Sequence, residues 1–227
     1  MNDKTLKDLK ELRKERKRKL KRDNIIKFAE QSFIEQGFDS TIIDQVALDA
    51  GYTKATIYNY FESKEDLLTA VLAKDYEVMF NVFKKYIEQP RKTSGVRTIG
   101  DAYLTFLDNF PGQASLLDSG RCVTINRTII QKEENRQTLT ESEQEFTENE
   151  TKVGMLTMDL LAQTIKESGI EGKVEPLRIV KVLSAFMPVI RELVRRGNVG
   201  GQSKKEIKET LDVLFTIIEN GVKNYAD

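Results

Sequence analysis

Histidine and tryptophan are missing from these 227 residues, cysteine occurs once and proline four times. Each shortage excludes something. Without histidine the chain lacks the side chain that most often binds zinc and most often exchanges protons near neutral pH. A lone Cys122 cannot close an intrachain disulfide, which fits a reducing compartment. As a small residue it is read as part of the core rather than as a redox sensor. No spaced set of carboxylates, lysines or tyrosines marks a catalytic centre, so neither an enzyme nor a metal or cofactor is expected. Long apolar runs are missing too. None approaches the roughly 20 residues of a membrane span, and the charged N-terminus lacks the apolar stretch of a signal peptide. The expectation is a soluble, cytoplasmic protein with no membrane partner.

What is present is charge. Lys and Arg number 36, Asp and Glu also 36, so the net charge is zero and by itself points to no anionic partner. The even balance hides an asymmetry. Residues 1–22 hold eleven basic residues against four acidic ones, leaving the remainder acidic by the same margin. This pattern describes a basic arm on a mildly acidic body.

Period-two alternation is nowhere sustained, whereas apolar residues recur at helical spacing, which predicts an all-α protein. Residues 1–22 carry only a thin apolar stripe (Leu6, Leu9, Leu12, Leu20). They lack glycine and proline, so they either run as a helix into the next segment or stay disordered without a partner. Residues 23–36 form an amphipathic helix through Ile25, Ile26, Ala29, Phe33 and Ile34, stopped by Gly37. Thr41 and Asp44 have capping-box spacing and open a helix over 41–50. A third helix fills 53–61. Ser63 and Asp66 repeat the capping pattern and open a long helix that Pro90 ends. Further helices are predicted at 95–110, 112–119, 133–168, 176–197 and 204–225, the third of these with a narrow seam of Leu139, Phe146 and Val153. The architecture is all-α, three short N-terminal helices followed by a larger helical domain. Its divisions are an arm over 1–22, the helix-turn-helix over 23–68 and the larger domain over 69–227.

The stretch from Thr41 to Lys64 carries the functional information. Ile42, Ile43, Val46, Ala47 and Ala50 make an inward stripe, and Gly51 sits where the chain must reverse. Thr53 can cap the next helix. Ile57 and Phe61 turn inward, which leaves Lys54, Ala55, Tyr58 and Asn59 outward on a short helix of a size that fits a major groove about 12 Å wide. The run Gly51-Tyr52-Thr53-Lys54-Ala55-Thr56-Ile57-Tyr58-Asn59-Tyr60-Phe61-Glu62-Ser63-Lys64-Glu65-Asp66-Leu67-Leu68 resembles the DNA-binding signature of TetR/AcrR-type repressors. The preceding Phe28-Ala29, Phe33, Gly37-Phe38, Thr41, Ile42 and Val46-Ala47 fall at matching spacing. The rest of the chain is similar to the family only in length and helical content.

The resemblance implies an N-terminal three-helix helix-turn-helix domain followed by a larger helical ligand-binding and dimerisation domain. It also implies a homodimeric repressor bound to a palindromic operator in double-stranded DNA and released by a small-molecule effector. By position, Lys54, Ala55 and Asn59 would meet base edges. Thr41, Thr53, Thr56, Tyr58 and Tyr60 would meet sugar–phosphate, and Lys64 would hold a phosphate at the head of the long helix. Elementary chemistry agrees. Lysine donates to guanine, asparagine pairs with adenine, an alanine methyl meets a thymine methyl, and hydroxyls suit phosphate. The arm is longer and more basic than the family pattern requires. Arg18, Lys21 and Arg22 are assigned to DNA there, with a solvated tail and an anionic membrane surface as the other readings.

In the C-terminal two-thirds, helix 204–225 has Ile207, Leu211, Leu214, Ile218, Val222 and Tyr225 on one stripe, widened by Val213, Phe215 and Ile217. Helix 176–197 has Ile179, Leu183, Phe186, Ile190 and Leu193 beside Val182 and Val189. Two stripes this wide predict an interface with a second copy, assigned to Phe186, Ile190, Leu211, Leu214, Ile218 and Val222. Tyr103, Phe106, Phe110, Arg121, Phe146, Met155 and Met158 are the candidate lining of an effector pocket, although the aromatic spacing also suits plain core. The alternative function is a ligand-independent activator or architectural DNA-binding protein of the same fold.

Overall fold

The computed structural model describes residues 3–90, 93–169, 173, 175–199 and 204–224; these hold ten helices and no strand. The first, α1 (Asp3–Gln36), runs unbroken for 34 residues, so the basic arm is helical and continuous with the segment that follows. Nothing within it breaks a helix. Gly37 ends it by adopting φ +79°, a left-handed conformation that costs glycine little. Next come α2 (Ile43–Asp49), α3 (Lys54–Tyr58) and the long α4 (Lys64–Ile87).

Two local expectations need correction. The Thr41–Asp44 capping box does not form, because the cap residue is Ile42 and makes no side-chain cap bond. Thr41 is buried, and its hydroxyl donates instead to the Gly37 and Ser32 carbonyls. Ile42 is exposed rather than inward, as its place outside the helix dictates. The third helix is also shorter than 53–61: beyond Tyr58 the chain closes through tight turns, Tyr60 N–H donating to the Ile57 carbonyl at 2.9 Å. Ser63 and Asp66 do cap α4. The Ser63 hydroxyl accepts from Asp66 N–H at 3.0 Å, and the Asp66 carboxylate accepts from Glu62 N–H at 3.0 Å.

Further along are α5 (Gly95–Asn109), α6 (Pro111–Leu117), α7 (Gly120–Glu134), α8 (Glu141–Glu167), α9 (Pro176–Val199) and α10 (Lys204–Asn224). The helix expected over 133–168 is therefore two. Its first two residues end α7, a helix that the sequence reading did not predict, and α8 begins only at Glu141. The cause is a capping box: Thr140 N–H donates to the Glu143 carboxylate at 2.9 Å, and Glu143 N–H donates to the Thr140 hydroxyl at 3.2 Å.

The chain forms two compact units. The first comprises residues 1–75 with 115–147, and the second residues 76–114 with 148–227. The helix-turn-helix expected over 23–68 thus lies in a unit that α7 and the start of α8 also join. Ile25, Ala29, Phe33, Val46, Ile57, Phe61 and Leu67 fill its interior. In the second unit α10 packs on α5 and α9. Gly100 of α5 lies directly under the Phe215 ring, where any Cβ would collide with it.

Candidate nucleic-acid interface

The α2–α3 pair is held by short-range bonds that the sequence specifies. Gly51 takes φ +76°, and Tyr52 N–H reaches back to the Ala47 carbonyl at 2.7 Å, which reverses the chain. Thr53 then caps α3, its hydroxyl accepting from Thr56 N–H at 3.2 Å. From α1, the Asn24 amide donates to the Ala50 carbonyl at 3.0 Å and fixes the end of α2. Ile57, at 1% exposure, and Phe61 anchor α3 from beneath.

With those two side chains inside, the opposite face is dictated. Thr53, Lys54, Ala55, Tyr58 and Asn59 are exposed, and Thr56 and Tyr60 are half-buried. The structure brings these expected contacts together on one surface. The Lys54 ammonium pairs with Asp44 of α2 at 2.8 Å, and this hydrogen bond raises its pKa above the usual lysine range. The pair is exposed, so water and salt screen it and it holds the ammonium only loosely. Thr41 is the exception: buried, with both hydroxyl bonds directed inward, its side chain cannot reach sugar–phosphate.

Lys64 stands at the head of α4 as expected, but it is not a bare charge. Its ammonium lies 4.5 Å from the Phe38 ring centroid and donates to the Asp39 carbonyl at 3.5 Å. The guanidinium of Arg121, from α7, lies 4.1 Å from the same ring and pairs with the Asp39 carboxylate. Arg121 was expected in an effector pocket; it serves instead to brace the loop between α1 and α2. Sequence reasoning missed this cluster. Ser119, which caps α7 by accepting from Cys122 N–H, was the signal that would have placed Arg121 at a helix start.

Of the arm residues assigned to DNA, two are engaged elsewhere. Arg22 is 3% exposed, bonds Glu145 at 2.7 Å and Ser142 at 3.2 Å, and lies over the Phe61 ring. Arg18 forms a two-pronged bond with Glu141 at 3.2 and 2.6 Å, which holds the Glu141 carboxyl below the usual range. Both corrections have one cause: α8 begins beside α1 and supplies carboxylates to it. Lys21 remains exposed.

The remaining assignments divide between the units. Tyr103 and Phe106 are buried in the second unit, Phe110 stacks on Phe106 at 5.8 Å between centroids, and Met158 is half-buried. Phe146 is buried and belongs to the first unit. Met155 is 64% exposed, because it falls on the face of α8 opposite Phe146 and Leu160. The residues expected at the dimer face differ in burial. Ile190 and Leu211 pack inside the chain, Phe186, Leu214 and Ile218 are half-buried, and the side chain of Val222 lies outside the described residues. Among the described residues of α9 and α10, the large apolar side chains left uncovered are Leu177, Val182, Val189 and Leu193 with Val213 and Ile217.

Comparison with known proteins agrees with this geometry. Residues 25–71 match the family described as bacterial regulatory proteins, tetR family. No curated protein matches the chain. Among solved structures, a TetR family transcription regulator from Marinobacter aquaeolei VT8 is similar over 89% of this chain and 97% of its own, with 19% identity and a TM-score of 0.57. The fatty acid degradation regulator FadR from Bacillus halodurans is similar over 87% of this chain and 94% of its own, with 18% identity and a TM-score of 0.54. The transcriptional regulator FadR from Bacillus subtilis, solved in complex with stearoyl-CoA, is similar over 86% of this chain and 96% of its own, with 18% identity and a TM-score of 0.52. At these identities the shared property is the fold. Among the described residues no helix is long and apolar enough to cross a membrane, and no cluster of potential metal ligands occurs.

Proposed function

We infer that this chain, a TetR-family protein by its DNA-binding domain, is a cytoplasmic homodimeric repressor that reads a palindromic operator and is released by a small-molecule effector. One observation carries the reading. A short helix, anchored by Ile57 and Phe61, turns Lys54, Ala55, Tyr58 and Asn59 outward as one polar and aromatic surface. Lys54, Ala55 and Asn59 would face base edges, while Thr53, Thr56, Tyr58, Tyr60 and Lys64 would face the backbone.

Reading a palindrome takes two such helices about 34–36 Å apart on one face of the duplex. The uncovered apolar side chains of α9 and α10 supply the surface on which a second copy would close. The long α4 starts beside the reading helix and runs into the second unit, so an effector bound there could shift the spacing. A coupling of about 1–3 kcal/mol suffices for graded release. The buried aromatic run of α5, Tyr103 and Phe106 followed by Phe110, is the proposed place for that effector.

The test is footprinting on DNA flanking the gene, with the oligomeric state measured alongside. The reading requires a short symmetric protected site occupied by a dimer. Asn59→Ala should relax preference at one base position, and Lys64→Ala should weaken all sequences alike. Broad, sequence-blind protection would indicate an architectural protein instead. Candidate effectors, acyl-CoA thioesters first among them, are then titrated into the complex.

A further inference from the structure

The arm of α1 holds a feature that the helix-turn-helix does not account for. Lys10, Arg13, Lys14, Lys17 and Lys21 recur at three- and four-residue intervals, so on a helix of 3.6 residues per turn they form one stripe. All five are exposed. With Tyr60 they line one open depression on the surface of the first unit. Two acids, Glu11 and Glu15, stand at its inner edge, on the side of α1 that continues towards the buried face. Arg18 lies between that edge and Tyr60, 5.6 Å from its ring centroid, and Glu141 neutralises it. The basic residues are thus sorted. Arg18 and Arg22, which face the protein, are matched by carboxylates, while the five stripe residues face away from it in one cationic line.

We propose that this stripe is a second nucleic-acid site, one that binds the phosphate backbone of duplex DNA flanking the base-reading helix. The proposal rests on the DNA-binding reading above and extends it. Tyr60 supplies continuity, because it follows α3 in the chain and lines the same depression as the stripe. The spacing supplies complementarity. From Lys10 to Lys21 the helix advances about 16 Å, and a DNA strand presents a phosphate about every 3.4 Å of axis. Over that length the strand carries about five phosphates while turning roughly half way round the duplex, so the stripe meets those on the facing side. A rigid helix holding them in line has already met most of the ordering cost that a flexible basic tail would bear on binding. The arm reads no sequence. It adds affinity on any DNA and extends the footprint outward from each half-site.

The experiment compares the full-length chain with two charge-matched variants, Lys17→Gln/Lys21→Gln on the stripe and Arg16→Gln/Lys19→Gln on the other side of α1. Binding to a mixed-sequence duplex and to the footprinted site is measured across a salt series, and binding to phosphatidylserine vesicles in parallel. The stripe variant should lose about 0.9 from the slope of log affinity against log salt for each phosphate contact removed. Selectivity between the two duplexes should stay unchanged, and the off-stripe variant should keep most of the slope. Equal losses in both variants would reduce the effect to overall charge and overturn the site, as would an unchanged slope in the stripe variant. Loss of vesicle binding with DNA binding intact would assign the stripe to a membrane surface and overturn it too. If the unaltered chain itself shows no selective DNA binding, the repressor reading fails, whatever the arm does.

Discussion

The surface around α3 and the surface of α9 and α10 dispose of their apolar side chains in opposite ways. In the first, Ile57 and Phe61 are both buried, and what remains outside is hydroxyl, amide and ammonium with the small methyl of Ala55 and the ring of Tyr58. In the second, Ile179, Leu183, Ile190, Leu211 and Phe215 already fill the interior, yet Val182, Val189, Leu193, Val213 and Ile217 stay uncovered. A surface of the first kind suits a hydrated, polar partner. One of the second kind suits an apolar partner, since uncovered aliphatic area on this scale is a liability unless something closes over it. The contrast separates what holds each region together from what each region is for, and substitutions can probe it from the largest change in stability to the smallest.

Phe61→Ala should cost the most, about 3–5 kcal/mol, because it empties the anchor beneath α3 and removes the ring over which Arg22 lies. Chemical denaturation is the measurement, with loss of DNA binding expected to accompany it. Arg22→Ala should follow at about 2–3 kcal/mol, since it strips Glu145 and Ser142 of a buried charged donor. If Arg22→Ala instead left stability intact and removed only DNA affinity, the arm's inner face would be part of the interface and the division drawn here would break.

Asp75 of α4 sharpens the comparison through pH. Burial, with Glu30 charged and hydrogen-bonded nearby, pushes its carboxyl up to about 9, and one of its oxygens has no partner. An acid whose folded pKa is raised binds its proton more tightly in the folded chain. Its favourable contribution is therefore complete below the unfolded value near 4 and is lost as pH climbs towards 9. Asp75→Asn keeps the shape without the titration. Its melting temperature should exceed that of the unaltered chain by a growing margin from pH 5 to pH 8, and the two should converge near pH 4. Each kcal/mol appears as about 2–4 °C in a chain of this size. A constant margin across that range would mean that Asp75 does not carry the proton.

Ile217→Glu acts on the other surface. Ile217 is 63% exposed in the single chain, so the substitution should change the stability of one protomer by no more than about 0.5 kcal/mol. It should nevertheless shift the sedimentation profile from dimer to monomer and sharply weaken operator binding. An unchanged dimer would move the interface off α10.

The same contrast explains what could be read from sequence. Around α3 the determinants are local: Gly51 for the reversal, Thr53 for the cap, Ile57 and Phe61 four residues apart. Each works within one or two turns, so the pattern is visible in the string itself. On α9 and α10 the existence of two wide stripes was legible, but not which edge would be consumed inside. The stripes assign Ile190 and Leu211 to the partner face with Val189 and Val213 beside them, whereas the fold buries the first pair and leaves the second exposed, α10 being seated by the Phe215–Gly100 contact. The partners of Arg18, Arg22 and Arg121 were invisible for a related reason. Each pairs across more than 80 residues, Arg18 and Arg22 with carboxylates whose position depends on where α7 stops and α8 starts, and Arg121 with Asp39 in the loop after α1. Reading 133–168 as one helix removed the turn that delivers Glu141 and Glu145 to α1.

Lys54→Ala should be the mildest substitution in stability and among the most informative in function. The lysine is fully exposed and its bond to Asp44 spans the surface, where ion pairs contribute little because water and salt screen them. The melting temperature should therefore not move. Removing Asp44 instead is the useful counterpart, since Asp44→Asn frees the ammonium without deleting it. If Lys54 meets a base, Lys54→Ala should reduce discrimination at that operator position by about ten- to a hundredfold, while Asp44→Asn leaves the preferred base the same and raises affinity modestly. If both substitutions altered affinity alike on operator and mixed-sequence duplex, Lys54 would be a backbone contact, and the reading of bases would rest on Ala55 and Asn59.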